Sequence, residues 1–156
     1  MNLLSIDPGI EFGWAFWKEN SLQKTGVIKP FRNGDFFERA DNAIEVFDAA
    51  VLVKLNFDEV LIEWPNFRED DTGQTAARSG ALLKLMYMVG RIAEASSRYI
   101  DGPVKFVPVV VWKGQLPKQV VWRRCQQALG LTATKDIKSH AQDAVGIGLW
   151  SQGKFE

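Results

Sequence analysis

Three short stretches, far apart in the chain, carry carboxylates in settings suited to chemistry. Apolar runs typical of strands end at Asp7 and at Glu63. Further along, His140 and Asp143 are spaced i and i+3, which places both side chains on one face of a helix. Acids at strand ends, together with an acid on a helix, are what a protein needs to hold divalent metal ions against a phosphodiester. The pattern therefore predicts a hydrolytic metal site.

Each of these residues also has a purely structural interpretation. Asp7 could cap a turn, Asp143 could form a salt bridge on the surface, and His140 could face solvent. Glu63 resists such an interpretation, because an unpaired carboxylate buried beside its apolar neighbours would cost several kcal/mol. The spacing of His140 and Asp143 favours the ligand interpretation, since a helix N-terminus disfavours the imidazolium and the neutral ring is the form that binds metal.

The elements that must position these residues alternate in type along the chain. Strands are predicted over residues 2–7, 12–18, 22–29, 58–63 and 104–111. Helices are predicted from residue 36 to about 51, over 74–99 and 117–129, and from 139 to about 150. Three strands joined by short turns form an antiparallel meander, and the later strands arrive through crossover helices. This order predicts one α/β domain over residues 1–156, with an RNase H-like fold: a five-stranded mixed sheet, its first three strands antiparallel, flanked by helices on both faces.

Composition narrows the class of protein. The chain has 156 residues, of which 46% are hydrophobic and 24% charged, an ordinary balance for a globular domain. No apolar run reaches the roughly 18 residues of a membrane span, and a strand rather than a signal peptide is expected to follow Met1. The single cysteine, Cys125, excludes an internal disulfide and a cysteine zinc cage, and predicts a reducing, cytoplasmic location.

The charges are unevenly distributed, although the formal net charge is +0. Residues 102–156 contain eight Lys and Arg against three acids, whereas residues 1–101 contain eleven basic and sixteen acidic residues. An excess of basic residues in one half of a chain indicates a polyanionic partner, although such runs are also common on solvated faces.

Five groups of residues match, in order and approximate spacing, the motifs of one known family. They are Ile6-Asp7-Pro8-Gly9 followed by Gly13, Ile62-Glu63, Val111-Trp112-Lys113, Lys118-Gln119-Val120, and His140-x-x-Asp143-Ala144. Over nearly its whole length the chain thus resembles the RuvC-type Holliday junction resolvases, and it is similar to a short, divergent member of bacteriophage type. The stretch between Lys113 and Lys118 is shorter than the glycine-bearing stretch of the family.

The resemblance implies a set of functional residues. The expected catalytic and metal-binding residues are Asp7, Glu63, His140 and Asp143, holding two Mg²⁺ ions for which Mn²⁺ substitutes. The expected DNA contacts are Lys113, Lys118, Arg123 and Arg124, together with Phe67 as an aromatic wedge, for which Trp64 is the nearby alternative. The implied reaction is paired, symmetric nicking of a four-way DNA junction, leaving a 5′ phosphate and a 3′ hydroxyl, in the cytoplasm of a bacterium or a phage-infected host.

Paired nicks require a two-fold assembly, because one site cuts one strand. The helix over 74–99 has apolar residues on more than one face, including Leu83, Tyr87 and Met88, and Gly80 and Gly90 would permit close approach of a second helix. A homodimer through this helix is therefore predicted. The same helix packed inside a monomer is the alternative.

Three other functions fit part of the pattern. Asp7-Pro8-Gly9 followed by Gly13 also resembles the phosphate loop of actin-like sugar kinases, but 156 residues leave no room for their second subdomain. A nuclease of the same fold acting more broadly on forks and flaps fits the short stretch after Lys113. A catalytically silent nucleic-acid-binding module is the third, and the four metal-site residue types argue against it.

Overall fold

A five-stranded sheet forms the centre of the protein. A computed structural model describes residues 1–65 and 75–155, except for the side chains of residues 75–79. The strands are β1 Asn2–Asp7, β2 Phe12–Lys18, β3 Ser21–Ile28, β4 Glu59–Trp64 and β5 Val104–Pro108. Their spatial order is β3-β2-β1-β4-β5, with β1 to β3 antiparallel and β4 and β5 running parallel to β1. The predicted mixed sheet is confirmed.

A tight hairpin joins β2 to β3. Lys18 pairs with Ser21, and the two residues between them, Glu19 and Asn20, have φ angles of 50° and 64°. Two consecutive left-handed residues are the mark of a type I′ turn, whose twist matches that of the flanking strands. The short connection between β1 and β2 sets a separate register, in which Gly13 on β2 lies opposite Asp7 on β1.

Six helices lie around the sheet within the described residues. They are α1 Phe36–Phe47, α2 Thr75–Ser97, α3 Val109–Trp112, α4 Lys118–Leu129, α5 Leu131–Thr134 and α6 Ser139–Ser151. A capping box starts α1, because the Asp35 carboxylate accepts the Glu38 N–H at 2.9 Å and the Glu38 carboxylate accepts the Asp35 N–H at 2.8 Å. One wider helical turn, Asp48–Leu52, continues α1. Gly130, with a φ of 87°, ends α4 as predicted.

Apolar side chains fill both faces of the sheet. On one face α1 and α2 pack through Ala40, Ile44, Phe47, Val89 and Ile92. On the other face α4 and α6 pack through Val121, Cys125, Ala144, Ile147 and Leu149. The two layers confirm helices on both sides of the sheet. None of the helices in the described part of the chain has the length and apolar character to cross a membrane.

The fifth strand is shorter than predicted. It ends at Pro108 rather than at residue 111, and Val109–Trp112 forms the helical turn α3. Proline has no N–H to donate to a strand ladder and its fixed φ suits the start of a helix. The turn exposes Val110 and Val111 and buries Trp112 beneath α6. The brief helix α5 was not predicted either.

Candidate active site

The first two acids lie side by side at one edge of the sheet. Ile6 on β1 pairs with Ile62 on β4 in parallel register, so Asp7 and Glu63 each follow one member of that pair. Parallel neighbouring strands end at the same edge, which is why two residues 56 positions apart in sequence meet there. The sequence-based placement of Asp7 beside Glu63 agrees with this register.

The third acid is carried to the same edge by α6, which packs unusually close to β1 and β2. A Cβ atom on Gly13, the residue paired with Asp7, would lie 1.6 Å from the carbonyl oxygen of His140. Only glycine therefore allows the first turn of α6 to sit against the strand. The Ser5 hydroxyl donates to the Ala144 carbonyl at 2.7 Å, which joins β1 to α6 one residue after Asp143.

The local electrostatics show that the three acids share one environment. Burial raises the pKa of Asp7 well above its ordinary value, and the nearby carboxylates of Glu63 and Asp143 raise it further. Burial also raises the pKa of Glu63, and the Lys113 ammonium partly opposes that shift. Carboxylates that repel one another in a poorly solvated site are arranged to bind positive charge.

Two lysines supply part of that charge. The Lys113 ammonium lies 3.4 Å from Asp143 Oδ2 and 3.6 Å from Glu63 Oε2, and its side chain is only 19% exposed. Lys118 Nζ approaches the same Asp143 oxygen at 3.8 Å from the first turn of α4. The Lys113 ammonium therefore lies between two of the three acids.

Trp112 contacts one of the acids, a role that the sequence did not predict for it. The Trp112 indole N–H donates to Glu63 Oε2 at 2.9 Å, and Lys113 Nζ lies 4.8 Å from the centroid of the Trp112 ring. Its ring occupies space beneath Gly146, where a Cβ would lie 2.6 Å from the indole. Trp112 thus orients one acid and supports the lysine that contacts it. The only sequence signal was its position next to Lys113.

His140 lies at the rim of the site rather than among the three acids. Its Nε2 atom is 3.8 Å from Glu11 Oε2, its side chain is 54% exposed, and Glu11 also contacts Lys29 at 3.4 Å. The backbone of His140 faces Gly13, as described above. Its role as a fourth metal ligand stays a prediction.

The predicted DNA contacts are divided between the site and the outer surface. Lys113 and Lys118 contact the acids. Arg123 is exposed on α4, and Arg124 lies 5.8 Å from the centroid of the Phe155 ring. Phe67 lies outside the described residues. The alternative aromatic, Trp64, is half-buried with its ring centroid 5.4 Å from that of Phe106.

The donor set suits a hard divalent cation. Asp7, Glu63 and Asp143 offer only oxygen ligands, and Asp143 Oδ1 is buried without a hydrogen-bond partner. Within residues 1–65 and 75–155, no three His, Cys, Asp or Glu side chains stand close enough together to enclose one ion. The Lys113 ammonium is paired with both Glu63 and Asp143, so it competes with a metal ion for these two carboxylates.

Comparison with solved structures identifies known proteins that share this fold. No family model matches the chain, and no curated protein matches it. Among solved structures, Thermus thermophilus RuvC in complex with a Holliday junction substrate superposes with a TM-score of 0.73 at 23% identity, covering 96% of this chain and 91% of that one. A second structure of Thermus thermophilus RuvC gives 0.65 at 22% identity, covering 96% and 92%. The chain has the fold of RuvC.

The yeast mitochondrial Holliday junction resolvase Ydc2 is a more distant structural match, with a TM-score of 0.46 and 16% identity over 98% of this chain and 81% of that one. The similarity to Thermus RuvC spans nearly the whole length of both chains. At these identities the comparison establishes the fold alone.

Proposed function

We propose that the protein is a metal-dependent endonuclease that resolves four-way DNA junctions. The observation that carries this proposal is the convergence of Asp7, Glu63 and Asp143, from two strands and a helix, where burial and then the repulsion of the other two carboxylates raise the pKa of Asp7. Buried carboxylates repelling one another are unfavourable in a resting protein and are accounted for by a cation that binds them. The DNA-bound state of the structurally similar Thermus RuvC supports branched DNA as the substrate.

The residues of this chain have distinct roles in the proposed reaction. Asp7, Glu63 and Asp143 would hold the two Mg²⁺ ions, and His140 would be available from the rim as a fourth ligand. Bound Mg²⁺ would supply an activated water and stabilise the departing 3′ oxygen. Lys113 and Lys118 neutralise the phosphate being cut.

Hydrolysis in this arrangement gives a 5′ phosphate and a 3′ hydroxyl. We expect Mn²⁺ to replace Mg²⁺, because all three buried acids offer hard oxygen ligands that both ions accept. The cytoplasmic location and the bacteriophage source stay predictions.

Paired nicks require a second copy of the chain, and α2 offers a surface for it. Leu83 is 68% exposed, and Gly80 and Gly90 are open, with no atom within 4 Å of where a Cβ would stand. Small residues beside an exposed leucine allow two helices to approach closely. Met88, predicted to widen this apolar surface, is instead fully buried against the sheet. We propose a homodimer through α2, and sedimentation at micromolar concentration tests it: a species of only one chain's mass would remove it.

The decisive test is the Asp7→Asn variant. Asp7→Asn should bind a four-way junction as the unaltered protein does and lose Mg²⁺-dependent cleavage by at least ~100-fold, as when one transition-state stabiliser is removed. Cleavage at an unchanged rate would show that the site is misassigned. A catalytically silent module would show binding with no cleavage in either protein.

The second candidate function, a nuclease of broader specificity, is favoured by the shortness of the connection between α3 and α4. Only residues 113–117 separate the two helices, leaving little chain to surround a branch point. Cleavage rates on four-way, forked and linear duplexes of matched sequence distinguish the two candidates. Equal rates on forks and four-way junctions would favour the broader nuclease.

A further inference from the structure

A groove between α1 and α2 opens beside the acids and has no role in the site described above. Its volume is ≈ 370 Å³. The lining residues that matter for its chemistry are Gly9, Ile10, Phe36, Arg39, Lys84 and Leu85. Gly9 follows Asp7 by two residues, so their Cα atoms are at most about 7.6 Å apart. A DNA strand rises about 3.4 Å per nucleotide. The end of the groove at Gly9 is therefore within about two nucleotides of Asp7.

The groove presents aromatic rings. Phe36 lines it, and the Phe36 ring packs edge-on against Phe37 at 5.4 Å and against Tyr87 at 5.8 Å. The Phe37 ring completes the cluster at 5.3 Å from Tyr87 and is 58% exposed. An exposed aromatic cluster beside a groove is suited to stacking with a planar group.

The groove is also cationic. Lys84 is exposed, with its ammonium 5.5 Å from the Phe36 ring centroid, and neither Lys84 nor Arg39 pairs with an acid among the described residues. The nearest acids of α1 are already engaged. Glu38 is held in the capping box, and Asp41 pairs with Arg91. Two uncompensated cations around an aromatic surface are complementary to a nucleotide, whose base stacks while its phosphates are neutralised.

We propose that this groove binds a nucleotide of the DNA strand being cut, close to the scissile phosphate. Its base stacks on the Phe36 cluster, and Arg39 and Lys84 take the flanking phosphates. Apart from its two cations the groove is lined by apolar side chains and glycine, which lack the paired donors and acceptors that discriminate bases. Binding is therefore tolerant of base identity. This inference rests on the proposed nuclease function and names a part of its substrate contact.

The test uses DNA affinity in the absence of divalent metal, so that it does not depend on cleavage. Lys84→Gln should weaken four-way-junction binding and reduce the slope of log affinity against log salt by about 0.7–0.9. Phe36→Leu, which keeps an apolar side chain and removes the ring, should weaken binding about 5- to 150-fold. The fluorescence of 2-aminopurine placed next to the cut position should change on binding to the unaltered protein and not to Phe36→Leu.

A second groove on the same face provides matched controls. It measures ≈ 400 Å³ and is lined by Phe31 and Lys54, but it lies along the C-terminal half of α1, away from Gly9 and Asp7. Phe31→Leu and Lys54→Gln should leave affinity, salt slope and fluorescence unchanged. Because Phe36 also packs against the core, the exposed Lys84 variant carries the test if Phe36→Leu fails to fold.

Two results would overturn the proposal. One is a Lys84→Gln variant with the affinity and salt slope of Lys54→Gln. The other is a Lys84→Gln variant whose sedimentation shows altered self-association with unchanged DNA affinity per dimer, which would assign the groove to contact between two copies of the chain. If the groove variants weaken DNA binding while the unaltered protein fails to cut junctions, the groove stands and the proposed nuclease function falls.

Discussion

Replacing Lys113 by methionine tests whether its ammonium holds the acids together in place of a metal. Methionine keeps an unbranched stem of similar length and removes the charge. The ammonium lies 3.4 Å from Asp143 Oδ2 and 3.6 Å from Glu63 Oε2 in the mostly buried site. We expect the metal-free variant to be less stable than the unaltered protein and to gain more stability from Mg²⁺.

The magnitude follows from these distances. Each contact has a Coulomb energy of about 4–5 kcal/mol at an effective dielectric constant near 20, before the cost of desolvation. Removing one partner of a buried ion pair costs about 3–5 kcal/mol. Asp7 and Glu63 can take up protons, and Lys118 remains 3.8 Å from Asp143, so the cost should be smaller. We expect a loss of about 2–4 kcal/mol, or about 5–15 °C in Tm for a chain of this size.

Thermal unfolding with and without Mg²⁺ measures both effects. In the unaltered protein Mg²⁺ competes with the Lys113 ammonium, whereas in Lys113→Met it meets carboxylates that have lost that counter-charge. The variant should therefore bind Mg²⁺ at least about tenfold more tightly, equivalent to about 1.4 kcal/mol, with a larger rise in Tm. Lys105→Met is the matched control, since Lys105 pairs with Glu59 at 2.7 Å at the opposite edge of the sheet.

The reasoning would be refuted by a Lys113→Met variant whose metal-free Tm and Mg²⁺-dependent rise both equal those of Lys105→Met. Such a result would mean that the ammonium contributes nothing to holding Glu63 and Asp143 in place. A loss of stability without tighter Mg²⁺ binding would confirm that the ammonium stabilises the acids and would contradict its competition with Mg²⁺. Lys113 would then be a structural counter-ion that does not compete with metal.

Three further perturbations address the parts that position the acids. Trp112→Phe removes the donor to Glu63 and keeps a ring, and should lower metal affinity or activity about 10- to 100-fold, measured by Mg²⁺ titration of cleavage with Trp122→Phe as control. Gly13→Ala forces a Cβ against the His140 carbonyl and should cost at least about 1–3 kcal/mol in chemical denaturation; an unchanged denaturation midpoint would contradict the close packing of α6 on β2. The raised pKa values of Asp7 and Glu63 mean that the metal-free folded state binds more protons than the unfolded state above pH of about 4. Its free energy of unfolding should fall as pH rises through the raised values, and Asp7→Asn should reduce that fall; an equally steep fall in Asp7→Asn would contradict the assignment.

Much of the fold could be predicted because its signals are local. The apolar runs that end at Asp7 and Glu63, the turn at Glu19 and the capping residue Asp35 each act within a few positions, and the observed elements begin and end within two residues of most predicted ones. The same signals predicted that two parallel strands would deliver their acids to one edge. Asp143 also reached that edge, because α6 begins where its pattern indicated.

The chemistry around the acids was less predictable, since it depends on contacts between distant elements. A run of four apolar residues before Lys113 favours a strand by propensity, and that strand was predicted to continue to Val111. Pro108 instead ends the ladder, and the turn that follows rotates Trp112 inward beneath Gly146. Nothing local to Trp112 indicates that α6 offers a glycine at that point.

The turn of the chain after Pro108 determines which side chains contact the acids in the absence of metal. Had β5 continued, its alternating side chains would have carried residues 109–113 onward along the strand, away from the sheet edge where Asp7 and Glu63 end. Because the chain turns at Pro108, the indole N–H meets Glu63 and the ammonium of the next residue enters between Glu63 and Asp143. A lysine held there by its own backbone stabilises carboxylates that would otherwise repel one another. The same contact competes with the metal ions that the proposed reaction needs.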